Sequence, residues 1–123
     1  MMKELMFIFV GGGMGSLVRY GISVASVRFT ETAPKFPIST FLVNILGCLL
    51  IGTLMGYLYK NPSQSINLIL IVGFCGGFTT FSTFSWEVMS LLKSGIYSTA
   101  FLYAGLSFAA TLLMTGLGFY IGK

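Results

Sequence analysis

Gly73-Phe74-Cys75-Gly76-Gly77-Phe78-Thr79-Thr80-Phe81-Ser82-Thr83-Phe84-Ser85 is the stretch on which the reading of this chain turns. It lies inside an apolar run from Ile66 to Leu92. About 20 residues of helix cross a hydrocarbon core of ~30 Å, so this run is longer than one straight crossing needs. Two adjacent glycines and five hydroxyl side chains fall near its centre. Glycine is a poor helix interior, and Ser and Thr compete for backbone partners. The expectation is therefore a helix broken in mid-membrane; the alternative is a flexible kink packed against neighbours. Freed backbone groups at that depth are tolerated only inside protein or beside a water-filled cavity. Broken helices that face each other build ion sites from carbonyls or from helix N-termini.

Outward from this stretch, three more apolar runs are long enough to span. The expected helices cover about 5–27, 38–59, 66–92 and 96–121, and together they make residues 1–123 one transmembrane domain. Two prolines, Pro34 and Pro37, end the first connection. Lys60 to Ser65 forms the second, and Lys93-Ser94-Gly95 is a tight third turn that makes helices three and four antiparallel neighbours. Tyr57, Tyr59, Trp86, Tyr97 and Tyr120 fall near helix ends, where amphipathic rings anchor at the interface. The N-terminal run continues past a signal-peptide core of ~7–15 residues and reads as a retained helix.

Composition agrees. The 123 residues are 55% hydrophobic and 8% charged, with a mean hydropathy of +0.91. A soluble domain uses about 25% charged residues to cover its surface; a lipid bilayer asks for none. The net charge of +4 is scattered, without a basic run, so no nucleic-acid partner is indicated. Histidine is absent. With no metal cluster and no activated nucleophile beside a base, nothing points to an enzyme. Cys48 and Cys75 read as small membrane-embedded thiols rather than a disulfide pair.

Lys and Arg normally set orientation by their excess on one side. Here Lys3, Lys60 and Lys123 stand against Arg28, Lys35 and Lys93, with Arg19 adding one to the nearer side. Either another factor orients the chain, or both orientations insert and pair. Glycines four apart, Gly11 and Gly15, Gly52 and Gly56, Gly118 and Gly122, let helices approach closely. Four helices alone enclose little space, so a lumen is most simply gained by oligomerisation.

Several side chains could carry chemistry. Phe81 and Phe84 share a helix face. Such a pair is usually core, yet the electropositive ring edge can touch a dehydrated anion without holding it too tightly. Asn44 offers two N–H donors to a neighbouring helix or to an ion, and Thr40 lies one turn earlier. Tyr103, Ser107, Thr111 and Thr115 recur every four residues as one polar stripe on helix four. Arg19, inside the first span, reads as a vestibule charge, a snorkelling side chain or a structural partner. Glu87 reads as an interfacial, solvated acid. Many donors, one arginine and almost no carboxylate favour a small anion over a cation, without choosing among halides.

These residues resemble the Fluc (CrcB) fluoride-channel family over essentially the whole chain. The likeness rests on Gly11-Gly12-Gly13-Met14-Gly15 followed by Arg19, on Thr40-Phe41-Leu42-Val43-Asn44, and above all on Gly76 to Phe84. The resemblance implies an all-α integral membrane protein, an antiparallel dual-topology homodimer with two pores built from both subunits, in the inner (plasma) membrane of a prokaryote. It implies passive fluoride export that lowers cytoplasmic fluoride. Carried over by motif, the fluoride pore comprises Asn44, Phe81, Phe84, Ser82, Thr83, Tyr103, Ser107, Thr111 and Thr40, with Arg19 at the vestibule. A structural sodium ion at the dimer centre would take the backbone carbonyls of Gly76 and Thr79. The rival is a small multidrug-resistance-type proton-coupled exporter. It needs an embedded carboxylate on helix one, where only Glu4 stands, at the mouth.

Overall fold

The computed structural model describes residues 1–30 and 36–123, excepting the side chains of 29 and 30; Pro34 and Lys35, used above, lie outside the described residues. Every regular element among the described residues is helical: α1 (Met2–Thr30), α2 (Ile38–Lys60), α3 (Gln64–Lys93) and α4 (Tyr97–Gly122). All four are long and apolar enough to cross a membrane. α1 extends a few residues beyond the expected span at both ends, and α3 begins two residues earlier than expected. Large apolar side chains face outward along them, Leu113 being 70% exposed on the isolated chain, as a lipid-facing surface requires. Near the ends Tyr59, Tyr97 and Tyr120 are exposed.

α3 is not one helix. Its first half starts at Gln64–Ile66, where the Ser63 side chain caps the Ile66 amide. It winds as a π-helix over Asn67–Cys75 and closes with an α turn at Gly76–Phe78. The second half is the α-helix Phe81–Lys93. Between them Thr79 (φ −83°, ψ 157°) and Thr80 (φ −151°, ψ 124°) are extended. The break thus falls at the two threonines, midway along the 30-residue span, and not at the Gly76–Gly77 pair. Those glycines are helical. A β-carbon on Gly77 would collide with the Gly12 carbonyl, so the residue is small for packing rather than for breaking.

The same logic explains the other glycine pairs. Without a hydrophobic drive between helices in lipid, close backbone approach maximises dispersion contacts. β-Carbons on Gly11 and Gly15 would strike the backbone of Ile69 and Phe74 in α3; on Gly52 and Gly56, that of Thr115 and Phe119 in α4; on Gly118 and Gly122, that of Leu49 and Thr53 in α2. Two tight pairs result, α1 with the first half of α3 and α2 with α4.

The second half of α3 ends in a left-handed glycine turn. Gly95 has φ 75°, its N–H reaches the Leu92 carbonyl, and the Ile96 N–H reaches Leu91. These are the paired bonds of a Schellman stop, and Ile96 packs against the Leu91, Ala100 and Tyr103 cluster. The turn folds α4 back beside α3, as its length requires.

Gly15→Ala is expected to lower unfolding stability by about 1–3 kcal/mol, the usual cost of overpacking, because the clash is with main chain. Gly13→Ala, where nothing lies within 4 Å, is expected not to lower it and to raise it by up to about 1 kcal/mol, since alanine is the better helix residue. Thermal unfolding of the two variants in detergent checks the contrast.

Candidate functional site

Two extended residues in mid-membrane need partners for their backbone groups. Asn44, two turns into α2, supplies them. Its Oδ1 accepts from the Thr80 N–H (2.9 Å) and its Nδ2 donates to the Thr80 carbonyl (3.1 Å). One side-chain amide therefore imitates a neighbouring strand. The Thr80 hydroxyl then accepts from the Thr83 N–H (3.3 Å) and caps the second half of α3. Thr79 satisfies itself backwards, its N–H and hydroxyl both reaching the Cys75 carbonyl at 2.9 and 2.8 Å. No donor among the described residues reaches the Thr79 carbonyl. Asn44 is thus first a clamp on the break, with one N–H left over.

The break separates two concavities. A groove of about 420 Å³ is lined by Asn44, Cys48, Thr80, Phe81, Phe84, Ser107 and Thr111, among others. Phe81 and Phe84 share its wall with ring centroids 5.7 Å apart and tilted by 41°. Phe81 is 78% exposed, so the groove opens to the outside of the chain. A second concavity, about 270 Å³, holds Arg19, Ser16, Ser23, Ser39, Thr40, Thr80 and Thr83. Arg19 Nε is buried there with no hydrogen-bond partner.

Of the residues expected to act together, Asn44, Phe81, Phe84, Ser107 and Thr111 meet in the first groove, and Arg19, Thr40 and Thr83 in the second. Ser82 lines neither; it is exposed and its hydroxyl lies 3.4 Å from that of Thr80. Gly76 is exposed beside the break. The polar stripe of α4 divides. Thr111 and Thr115 donate to the carbonyls of Ser107 and Thr111, one turn back, at 2.7 and 2.8 Å. Ser107 Oγ is buried without a partner, which makes it the free hydroxyl of the stripe.

Glu87 departs from the expectation. It is half-buried rather than solvated. Its Oε1 accepts from the Thr40 hydroxyl and its Oε2 from the Tyr103 hydroxyl, both at 2.7 Å. A carboxylate on the second half of α3 thereby ties α2 to α4. A hydroxyl has a single proton, so Thr40 and Tyr103 spend theirs on Glu87 and present lone pairs elsewhere. Burial offset by short, charge-assisted bonds is what the local sequence could not reveal, since Thr40 and Tyr103 come from distant parts of the chain. Among the described residues no His, Cys, Asp or Glu cluster could hold a metal ion.

Four apolar crossings, an interrupted third helix and donor-lined concavities at the interruption define a multi-pass helical membrane protein. Residues 6–119 match the family described as CrcB-like protein, Camphor Resistance (CrcB). The chain is 46% identical over 125 residues to a protein of Phocaeicola vulgatus, covering 99% of this chain and 100% of that one. It is 45% identical over 124 residues to one of Bacteroides fragilis, at 99% and 98% coverage, and 39% identical over 121 residues to one of Pectobacterium carotovorum, at 97% and 93%. Each of these relatives is named a fluoride-specific ion channel, FluC. The chain belongs to the CrcB family.

Asn44→Ala removes both bonds to Thr80 and leaves buried backbone groups unpaired, at about 1–3 kcal/mol each. Amide hydrogen exchange at Thr80 is expected to accelerate at least tenfold in this variant, while exchange in α1 stays as in the parent.

Proposed function

We propose that this chain is a fluoride-selective anion channel that lets fluoride leave the cytoplasm passively across the bacterial inner membrane. One observation carries the reading: a groove at the helix break lined together by Ser107, whose hydroxyl has no partner, and by Phe81 and Phe84. A fluoride ion is small and strongly hydrated, so its shell must be replaced by donors without over-binding. Ser107 and the remaining Asn44 N–H offer such donors, and ring edges offer weak positive charge. Fluoride, rather than another halide, is supported by the names of the relatives.

The working unit is an antiparallel homodimer of both orientations. The outward-facing Phe81 and the open groove favour completion by a second copy, and the balanced Lys and Arg count removes the usual bias toward one orientation. Arg19, unpaired in its own concavity, draws anions toward the break; Thr40 and Thr83 line that approach. The carbonyls of Gly76 and Thr79 would hold a structural sodium ion where two copies meet. The residues fit it: the Thr79 carbonyl has no donor, and both groups stand at the C-terminal, negative end of the first half-helix. Proton-coupled export has less support, because Glu4 on α1 is at the chain's mouth and bonded to Gln64 at 2.9 Å.

Purified protein in liposomes is expected to release fluoride quickly and chloride hardly at all, without a proton gradient; equal fluxes or a strict proton requirement would overturn the assignment. Phe81→Ile and Phe84→Ile are each expected to lower fluoride flux while the dimer persists on size-exclusion chromatography. Replacing sodium by a large organic cation is expected to weaken the dimer or its flux, and indifference to sodium would remove that ion.

A further inference from the structure

We propose that Glu87 is a positioning residue for fluoride passage: its carboxylate holds the Tyr103 hydroxyl, and through the Tyr103 ring it fixes the edge that Phe84 presents to the ion. The inference rests on the fluoride-channel reading above. Its starting point is a carboxylate in a membrane-spanning helix, an expensive group with no ion-pair partner among the described residues. Two hydroxyls replace such a partner, each 2.7 Å from one carboxylate oxygen.

Glu87 does not line the groove that holds Phe81, Phe84 and Ser107. It lines a separate shallow concavity with Pro37, Trp86, Ser90 and Ser94. Its hydrogen-bonded link toward the groove is Tyr103. That side chain is 0% exposed. Its ring lies 5.2 Å from the ring of Phe84 and 5.3 Å from that of Phe36, edge-on to the latter at 77°. The Phe84 ring in turn meets Phe81. A chain of contacts thus runs from Glu87 through Tyr103 and Phe84 to Phe81. One turn along α4 from Tyr103 stands Ser107, which lines the groove.

The carboxylate's charge is kept from opposing the anion by this arrangement. Both of its oxygens face hydroxyl protons, although Glu87 stands only one turn from Phe84 on the same helix. Loss of the anchor frees the hydroxyl-bearing tip of the Tyr103 ring to shift, and leaves Phe84 without a firm backing. An aromatic wall that gives way admits a larger halide, so selectivity is the property at stake.

Fluoride and chloride efflux from liposomes is to be measured for the parent, Glu87→Gln, Tyr103→Phe and the double variant, with size-exclusion elution as the check on assembly. A bond to a charged acceptor corresponds to about tenfold or more in an equilibrium, so each single variant is expected to lose about tenfold in the fluoride-to-chloride ratio. The double variant is expected to lose no more, because both changes break one link. A purely structural role would reduce the amount of active protein and leave the ratio as in the parent. An unchanged ratio in either folded single variant, or losses that add in the double, overturns the inference. Should Glu87→Gln fail to assemble, Tyr103→Phe decides alone: a reduced ratio supports the link and a parental ratio overturns it. A parent that shows no preference for fluoride overturns the channel reading instead, and is told apart by that control.

Discussion

The bilayer interior offers no water to a peptide group, and the fold is organised around the one place where this chain breaks its helix regardless. At Thr79 and Thr80 the backbone runs extended at mid-span. Asn44 makes that tolerable by pairing with both polar groups of Thr80. Two unpaired groups at about 1–3 kcal/mol each would be a large fraction of the stability of a small protein. The interruption also turns the ends of two half-helices toward the membrane centre. The first contributes the negative end of its dipole and the second the positive end. Opposite polarities stand two residues apart on one chain.

Hydroxyl protons are the scarce resource beside this break. Thr40 and Tyr103 give theirs to Glu87, and Thr79, Thr111 and Thr115 give theirs to carbonyls one turn back. Ser107 alone on the α4 stripe retains an uncommitted one in a buried position. A count of polar residues overstates what an anion would meet; the direction of each proton decides it.

Much of this was legible in the sequence, for reasons tied to particular residues. Long apolar runs located the four crossings, and the glycines four apart announced close helix packing, because both signals are local; which helices pair is shown by the fold. The hydroxyl-rich stretch after Gly77 announced a break, which lies at Thr79–Thr80, while Gly77 serves the contact with Gly12. The pairing of Phe81 with Phe84 follows from their spacing. Three features were not legible. Asn44 could donate to many things, and only the fold shows that Thr80 claims it. Glu87 looks interfacial by position, and its two hydroxyl partners lie 47 and 16 residues away in sequence. The π winding of Asn67–Cys75 has no compositional mark at all: an ordinary apolar run carries it, and its wider turns emerge only against α1.

Two kinds of joint hold the molecule. α1 and the first half of α3, and α2 and α4, are zipped by main chain against main chain at the glycines. The second half of α3 is held to α2 and α4 by side chains: hydrogen bonds from Asn44 to Thr80 and from Thr40 and Tyr103 to Glu87, and packing of Phe84, Val88 and Leu91 with Ala100 and Tyr103. The two joints respond differently to the thickness of the surrounding lipid. A zipped pair tilts as one rod when the membrane thins, whereas short directional bonds keep their lengths and swivel at their ends. The segment bearing Phe81 and Phe84 belongs to neither zipped pair, so a tilt of either rod reaches it through side chains and the extended Thr79–Thr80 link.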